Sequence, residues 1–426
     1  MKAILIILLL SPFTVFSQTT GIKFEKALSW EQIKAKAKAE NKFIFVDCFA
    51  TWCAPCRYME KNIYTDKKVG NYFNEHFISI ALQMDSTAHD DAGVKKWYHD
   101  AIRIKEQYNI SSFPSYLFFS PDAEIVHKDV GAMEAEDFLV LGRNAISPAN
   151  QFYSILRAYQ SGVRDYASMP ALAYAAKRIN ENEVAGRISQ DYLNNYLYKL
   201  APDKLLTDSN IEFIRIFTKV SQDTGFHLFF TEQHRIDSVM HTRDYAQSFV
   251  DYIIAKEDID PKLWHGSDIS QPVTDQPDWG KMYTAIQNKY GTSYAERNIL
   301  NGQLRWYMYK KDWKTYSKKV IQKVTKYGPY GIIQDTSWQL NAVAWELFQH
   351  STDKRELHIA IGWSQAAMKL VKKPDANYFD TYANLLYKLK RNAEAISWEE
   401  KALQLAPGQD DIVANLAKMK KHQPTW

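Results

Sequence analysis

Apolar positions fall into two regimes along the chain. From about Phe24 to Ile146, short runs of β-forming residues alternate with segments whose apolar residues recur at helical spacing. Ser29-Trp30-Glu31-Gln32 has the spacing of a capping box and predicts a helix running to Asn41. Phe43 to Phe49 is apolar at successive positions, which predicts a strand covered on both faces in the middle of a sheet. Helical stretches are expected through Tyr64 and from Lys67 to His76, then a strand from Phe77 to Met84 and a helix around Ala92 to Tyr108. Strands from Tyr116 to Phe119 and from Glu124 to Lys128 flank a turn at Ser120-Pro121-Asp122-Ala123, and a helix from Glu134 to Arg143 follows. Strands interleaved with helices imply an α/β fold, a mixed sheet covered by helices.

Ile146-Ser147-Pro148-Ala149-Asn150 reads as a linker, beyond which long amphipathic helical patterns dominate. A loop is expected from Asp258 to Gly280, where Pro261, Pro272 and Pro277 interrupt the pattern. Near the end, Ala360-Ile361-Gly362-Trp363 with Ala367 and Leu370 recurs 35 residues later as Ala395-Ile396-Ser397-Trp398 with Ala402 and Leu405. That offset is close to the roughly 34-residue helix-turn-helix unit of tetratricopeptide repeats. Tyr382-Ala383 and Pro407 extend the second copy, while Ala344 and Trp345 suggest a first helix for the earlier one. The expected organisation is therefore a signal segment over residues 1–17, an α/β domain over 22–147, a helical middle region over 148–330 and tetratricopeptide-like hairpins over 331–426.

At 426 residues the chain exceeds the roughly 250 to 300 at which one core stops growing, so several domains are required. Charge excludes one class of partner. With 53 Lys+Arg against 49 Asp+Glu and no basic block, nothing resembles a strip for nucleic-acid phosphates. Met1-Lys2 and the apolar run that follows, broken at Ser11-Pro12 and ending in Val15-Phe16-Ser17, predict a cleaved secretory signal with the cut after Ser17. That run is well short of the ~20 residues of a membrane span. The expected mature protein is exported, periplasmic or secreted, with no transmembrane segment.

Exported chains usually use cysteines as structural staples, but here Cys48, Cys53 and Cys56 lie within nine positions and no other cysteine occurs. A bridge between Cys53 and Cys56 closes too short a loop to stabilise much, so reactivity is the better account. The residues after Cys56 can continue as a helix, which places Cys53 at a helix N-terminus, where the macrodipole favours thiolate. Half of a zinc site is the competing reading, but no second Cys-x-x-Cys or His pair lies nearby. Cys48 alternates with Asp47 along the strand and is read as a buried small hydrophobe. His227, His234 and His241 recur every seven residues and would share a helical face. Neighbours then stand about 10.5 Å apart, too far for one metal ion, so a polar or interface face is expected.

Trp52-Cys53-Ala54-Pro55-Cys56, Asp47 six residues before the first cysteine, Phe113-Pro114 ahead of a strand, and Gly131 after the next strand occur in one order. Together they resemble bacterial envelope members of the thioredoxin family, over roughly a quarter to a third of the chain. The resemblance implies a thioredoxin fold and thiol:disulfide oxidoreductase activity without a cofactor or metal. It also implies roles. Cys53, exposed, would be the attacking nucleophile, and Cys56, more buried, the resolving thiol; the two would form a redox-active disulfide. Asp47, buried with a raised pKa, would accept a proton from Cys56. Pro114 would be a cis-proline beside the dithiol, where an extended client can pair, and Trp52 with Phe113 would form an apolar lip. The strand Ser79 to Met84 lacks the lysine that thioredoxin keeps near its buried acid, and Ala54 replaces the family's glycine. The expected partners are disulfide-containing client proteins and a membrane electron donor, in a reductase or isomerase role. A helical scaffold whose thioredoxin-like domain mainly binds, and a disulfide oxidase, are the alternatives.

Overall fold

The computed structural model describes residues 21–266, 268–328 and 336–426; the predicted signal segment at 1–17 lies outside them. The chain forms two compact units, divided between Leu200 and Ala201.

In the first unit, Ser29 caps helix α1 (Trp30–Glu40) with the predicted capping box, and Asn41 ends it in the left-handed region at φ 51°. Strand β1 (Phe43–Phe49) runs parallel to β2 (Phe77–Gln83) and antiparallel to β3 (Ser115–Phe119), which pairs with β4 (Ile125–Val130). The sheet order is β2-β1-β3-β4, with the most apolar strands inside. Helices α2 (Ala54–Tyr58), α3 (Lys67–His76), α4 (Ala92–Gln107) and α5 (Ala135–Ile146) complete the fold. Strand alternation sorts the core into two halves. Ile44, Val46 and Cys48 pack with Ile33 and Ala37 of α1 and Ala101 and Ile104 of α4. Phe45 faces the other way, in a ring cluster with Phe73 (centroids 5.0 Å apart) and Phe118 (5.1 Å), and Phe73 stacks on Phe138 at 4.6 Å. Phe45 is fully buried, so truncation to alanine should cost about 3 to 5 kcal/mol.

The linker expected at 146–150 is a short turn inside this unit. Helix α6 (Phe152–Gln160) follows at once, and α7 (Met169–Arg178) and α8 (Asn182–Asn195) bring the unit to Leu200. Three features attach these helices to edge strand β4. The backbone N–H of Phe152 donates to His127 Nδ1 at 3.0 Å. Lys128, buried, donates from Nζ to the carbonyls of Tyr108 at 2.7 Å and Ile179 at 3.1 Å, with Glu181 at 3.5 Å. Arg157 and Arg178 donate to the carbonyls of Ile125 and Val130, the two ends of the strand.

The second unit is helical among the described residues except for one small hairpin. That hairpin corrects the loop expected from Asp258 to Gly280. A π turn (Ala255–Ile259) leads into a short helix (Asp260–Leu263), and Trp264–His265 then pairs with Asp268–Pro272. Pro261 is compatible with the helix because it occupies the first turn, where no N–H is needed. The three spaced histidines also differ from expectation. His227 lies in helix Thr224–Thr231, His234 in the next helix Gln233–Val239, and His241 in the turn after it at φ 49°, so no single face carries them. At the C-terminal end, helix Thr336–His350 pairs with Lys354–Leu370 and helix Ala376–Lys388 with Asn392–Leu405, closed by Asp410–Lys420. The recurring alanines Ala360, Ala367, Ala395 and Ala402 are fully buried, as are Ala344 and Ala383. Only small side chains allow these helices to approach so closely.

Candidate functional site: the cysteine pair

The site is assembled where β1 runs out. After Phe49 the chain turns, with the N–H of Cys53 donating to Ala50 O at 3.1 Å, and enters α2 with Cys53 as the N-cap. Asp85, just beyond β2, accepts from the N–H of Thr51 at 3.0 Å, and Arg57 Nη1 donates to Thr51 O at 3.0 Å, fixing the approach to the cysteines. The N–H of Cys56 donates to Cys53 Sγ at 3.1 Å. A sulfur at the cap thus receives one of the free N–H groups of the first turn, the arrangement that favours a thiolate once the pair is reduced. Pro55 sits in that turn without leaving an N–H unpaired.

Cys53 and Cys56 are joined in a disulfide with Cα atoms 5.3 Å apart. The expectation that Cys53 is the exposed partner needs correction, because in this bridged state Cys53 is 2% exposed and Cys56 7%. Both sulfurs are turned toward one another, and the pair packs with Ala50, Phe49 and Phe113. What is exposed is the rim. Trp52 is 69% exposed and meets Phe113 edge-on at 5.8 Å between ring centroids. The Phe113-Pro114 peptide is cis, and Pro114 O accepts from the N–H of Gly131, which adopts φ 95°, a conformation that favours glycine. Phe113 thus touches both the exposed Trp52 ring and the cysteine pair, and the cis peptide to Pro114 follows it directly in the chain.

Asp47 is buried on β1, opposite Tyr116 in the β1–β3 register. Burial pushes its carboxyl up to about 7; the Tyr64 hydroxyl counteracts part of this, and the Glu60 charge adds to it. Asp47 Oδ1 has no fixed hydrogen-bond donor. The two phenols beside it, Tyr64 and Tyr116, are themselves pushed well above the usual phenol range by burial. These neighbours were not singled out from sequence. Tyr116 was available as the residue facing Asp47 across paired strands, but only once the register was known. Cys48 is buried on the opposite face, and burial pushes its thiol well up, so it remains protonated and inert. Lys128, the buried lysine of this sheet, pairs with Leu117 on that same opposite face and does not replace the lysine missing near Asp47. Among the described residues, no group of three or more His, Cys, Asp or Glu side chains could hold a metal ion.

A four-stranded mixed sheet, a bridged Cys-x-x-Cys at a helix start and a cis-proline at the start of β3 define the class: a thioredoxin-like domain. Comparison with known proteins agrees, since residues 30–146 match the thioredoxin-like domain family. Among curated proteins, the chain is 26% identical over 147 residues to the thiol:disulfide interchange protein DsbD of Pseudoalteromonas atlantica, covering 31% of this chain and 23% of that one. It is 30% identical over 125 residues to DsbD of Colwellia psychrerythraea, covering 29% and 18%. The chain thus spans about a fifth of the length of these relatives. Among solved structures, a candidate disulphide-isomerase from Bacteroides thetaiotaomicron is 30% identical, covering 31% of this chain and 98% of that one with a TM-score of 0.26. A thioredoxin from Thermus thermophilus is 17% identical, covering 29% and 85%, with a TM-score of 0.24. The matched domain, its cysteine pair and the interchange relatives support thiol:disulfide oxidoreductase activity. No helix among the described residues is long and apolar enough to cross a membrane.

Proposed function

We propose that this protein is an exported thiol:disulfide oxidoreductase that reduces or isomerises disulfides of envelope proteins through Cys53 and Cys56, with its helical regions recognising clients or partners. The observation that carries the reading is the bridged Cys53–Cys56 pair at the start of α2, rimmed by Trp52, Phe113 and cis-Pro114. Once reduced, the Cys53 thiolate attacks a client disulfide and one client sulfur leaves as thiolate. Cys56 then displaces the other client sulfur from Cys53, so the client gains two electrons and the pair closes again. Asp47, buried and titrating near 7, accepts the Cys56 proton as that thiol becomes a nucleophile. Each net reduction leaves the pair oxidised, whereas an isomerisation returns it reduced, so the reductase role requires a membrane electron donor to restore the dithiol. The domain division at 22–147, 148–330 and 331–426, the tetratricopeptide-like character of the last hairpins, and export by way of residues 1–17 belong to the same proposal.

The test is turnover of insulin or glutathione disulfide with an external reductant. Cys53→Ser should abolish it, and Cys56→Ser should trap mixed disulfides on Cys53, whose attached partners identify the clients. A wild-type pair inert toward every disulfide offered would sink the reading. The potential separates direction, since a value near −270 mV indicates a reductase and one near −120 mV an oxidase. A scaffold reading is favoured by one observation, the predominance of helical hairpins after Leu200. It requires that the Cys53→Ser, Cys56→Ser double variant keep its cellular role.

A further inference from the structure

The helical unit contains a cavity of about 490 Å³ between helices Tyr245–Ile254, Thr292–Tyr309 and Trp313–Tyr327. That size lies within the range typical of sites for small organic ligands. Its charged groups are not equivalent. Asp251 accepts from Arg297 Nε at 2.8 Å and Nη2 at 3.2 Å and from Asn298 Nδ2 at 2.6 Å. Arg297 also donates from Nη1 to Ser293 Oγ at 2.6 Å, and Arg305 pairs with Asp260 at 2.6 Å. Both guanidiniums are thus neutralised by carboxylates of the protein.

Lys323 is the exception. It lines the same cavity and is partly buried, yet it forms no ion pair or hydrogen bond among the described residues. Burial lowers the pKa of its ammonium, and the charge of Asp251, already engaged by Arg297 and Asn298, offsets only part of this. Holding a cation away from water without a partner costs free energy, which an incoming anion would recover. The remaining wall is mixed: Gln247, Ser248, Asn301 and Asp244, whose carboxylate is paired with Arg243 at 3.4 Å, share it with Leu300, Leu304, Met308 and Tyr252, the last two 44% and 55% exposed. Large apolar side chains left open beside a cavity are a recurrent sign of a binding site.

We propose that this cavity binds a monoanionic carboxylate with an apolar body, the carboxylate on Lys323 Nζ and the body against Leu300, Leu304 and Met308. One unpaired ammonium matches one negative charge; a phosphate or diphosphate would need the guanidiniums that Asp251 and Asp260 already hold. The same chemistry is offered by a free amphipathic acid and by the C-terminal carboxylate of a peptide ending in an apolar residue. This site is independent of the cysteine pair and does not rest on the function proposed above.

Titration calorimetry on the full chain tests it with two probe pairs: indole-3-propionate and its amide, and N-acetyl-Ala-Leu as the free acid and as the amide. At least one acid should bind, and should outbind its amide by about tenfold or more, the size expected of a charge-assisted hydrogen bond. Which acid binds distinguishes a small-molecule source from a peptide terminus. Lys323→Gln should lose that factor and Lys323→Arg should retain most of it. Should Lys323→Gln fail to fold, hydrogen exchange of the wild type gives a second readout: the bound acid, and not its amide, slows exchange in residues 297–308 and 316–327. The proposal is overturned if no acid binds at millimolar concentration, if the amides bind equally, or if folded Lys323→Gln binds like the wild type.

Discussion

Replacing Asp47 with asparagine should make the thioredoxin-like domain more stable and less active. The group has an ordinary carboxyl value of 3.8 and titrates at about 7 in the fold. A folded value above the unfolded one means that the folded state holds the proton more tightly. Its contribution is therefore fully favourable below 3.8 and is lost as pH rises toward and through 7. At 1.36 kcal/mol per unit, the native state is disfavoured by about 1.7 kcal/mol at pH 5, about 4 at pH 7 and about 4.3 at pH 8, relative to strong acid. Asparagine occupies the same space beside Tyr64 and Tyr116 and cannot ionise, although its buried amide needs a partner and returns about 1 to 3 kcal/mol of the gain. The net stabilisation should be about 1 to 3 kcal/mol at pH 8 and should vanish near pH 5. Because the chain has two compact units, global melting would mix them; hydrogen exchange of residues 43–49 and 115–119, with the pair oxidised, isolates this core. Wild type and variant are compared at the same pH, so intrinsic exchange rates cancel. The variant should exchange about ten- to a hundredfold more slowly at pH 8 and close to equally at pH 5. Disulfide turnover should fall. A variant whose stability difference stays constant with pH would refute the buried, titrating acid.

Three further outcomes follow from other sites. Glu399 lies fully buried beside Asp380 between the last helices, and burial, reinforced by the Asp380 charge, pushes its carboxyl up to about 10. By the same sign argument its contribution is lost as pH rises above 4.5, so Glu399→Gln should stabilise the C-terminal helices by up to about 3 kcal/mol at pH 7, measured by exchange in residues 376–420. A loss of stability there would count against the protonated acid. His127 has the opposite sign: burial lowers it to about 4, so its contribution is present above 6.5 and is lost as pH falls from 6.5 toward 4. Contacts between α6 and β4 should weaken by up to about 3 kcal/mol over that window, and His127→Gln should flatten the dependence. Trp52→Ala should raise KM for protein disulfides several-fold while leaving reduction of a small disulfide nearly unchanged; equal losses on both would show that the ring supports the cysteines and not the client.

Much of the first unit was legible because its signals are local. The Ser29 capping box, the continuous apolar run of β1 and the turn after Phe119 each fix an element within a few residues. The cysteine pair and Phe113-Pro114 could be brought together only through resemblance, since sequence spacing does not show that β3 lies beside β1. Exposure at Cys53 was misjudged because a bridged sulfur is covered by Phe113, which lies sixty residues away. The attachment of α6 to α8 was missed for a related reason: Lys128 reads as a surface residue of a short strand until the carbonyls of Tyr108 and Ile179 surround it. The hairpin at 264–272 was hidden by prolines, which here fall at a helix start and at the strand end, positions where a missing N–H costs little. The cavity around Lys323 arises from residues on three helices and has no signature in any one of them.

The guanidiniums of Arg157 and Arg178 at the two ends of β4 have a consequence for life among unfolded chains. An open strand edge is a template on which another polypeptide can copy itself, and a protein that handles disulfides meets substrates with their own strands exposed. With α6 and α7 packed near β4 and the carbonyls of Ile125 and Val130 already accepting from arginine, both ends of that edge are taken from an incoming strand. The protein is thereby protected at this margin from co-aggregating with the chains it is proposed to repair.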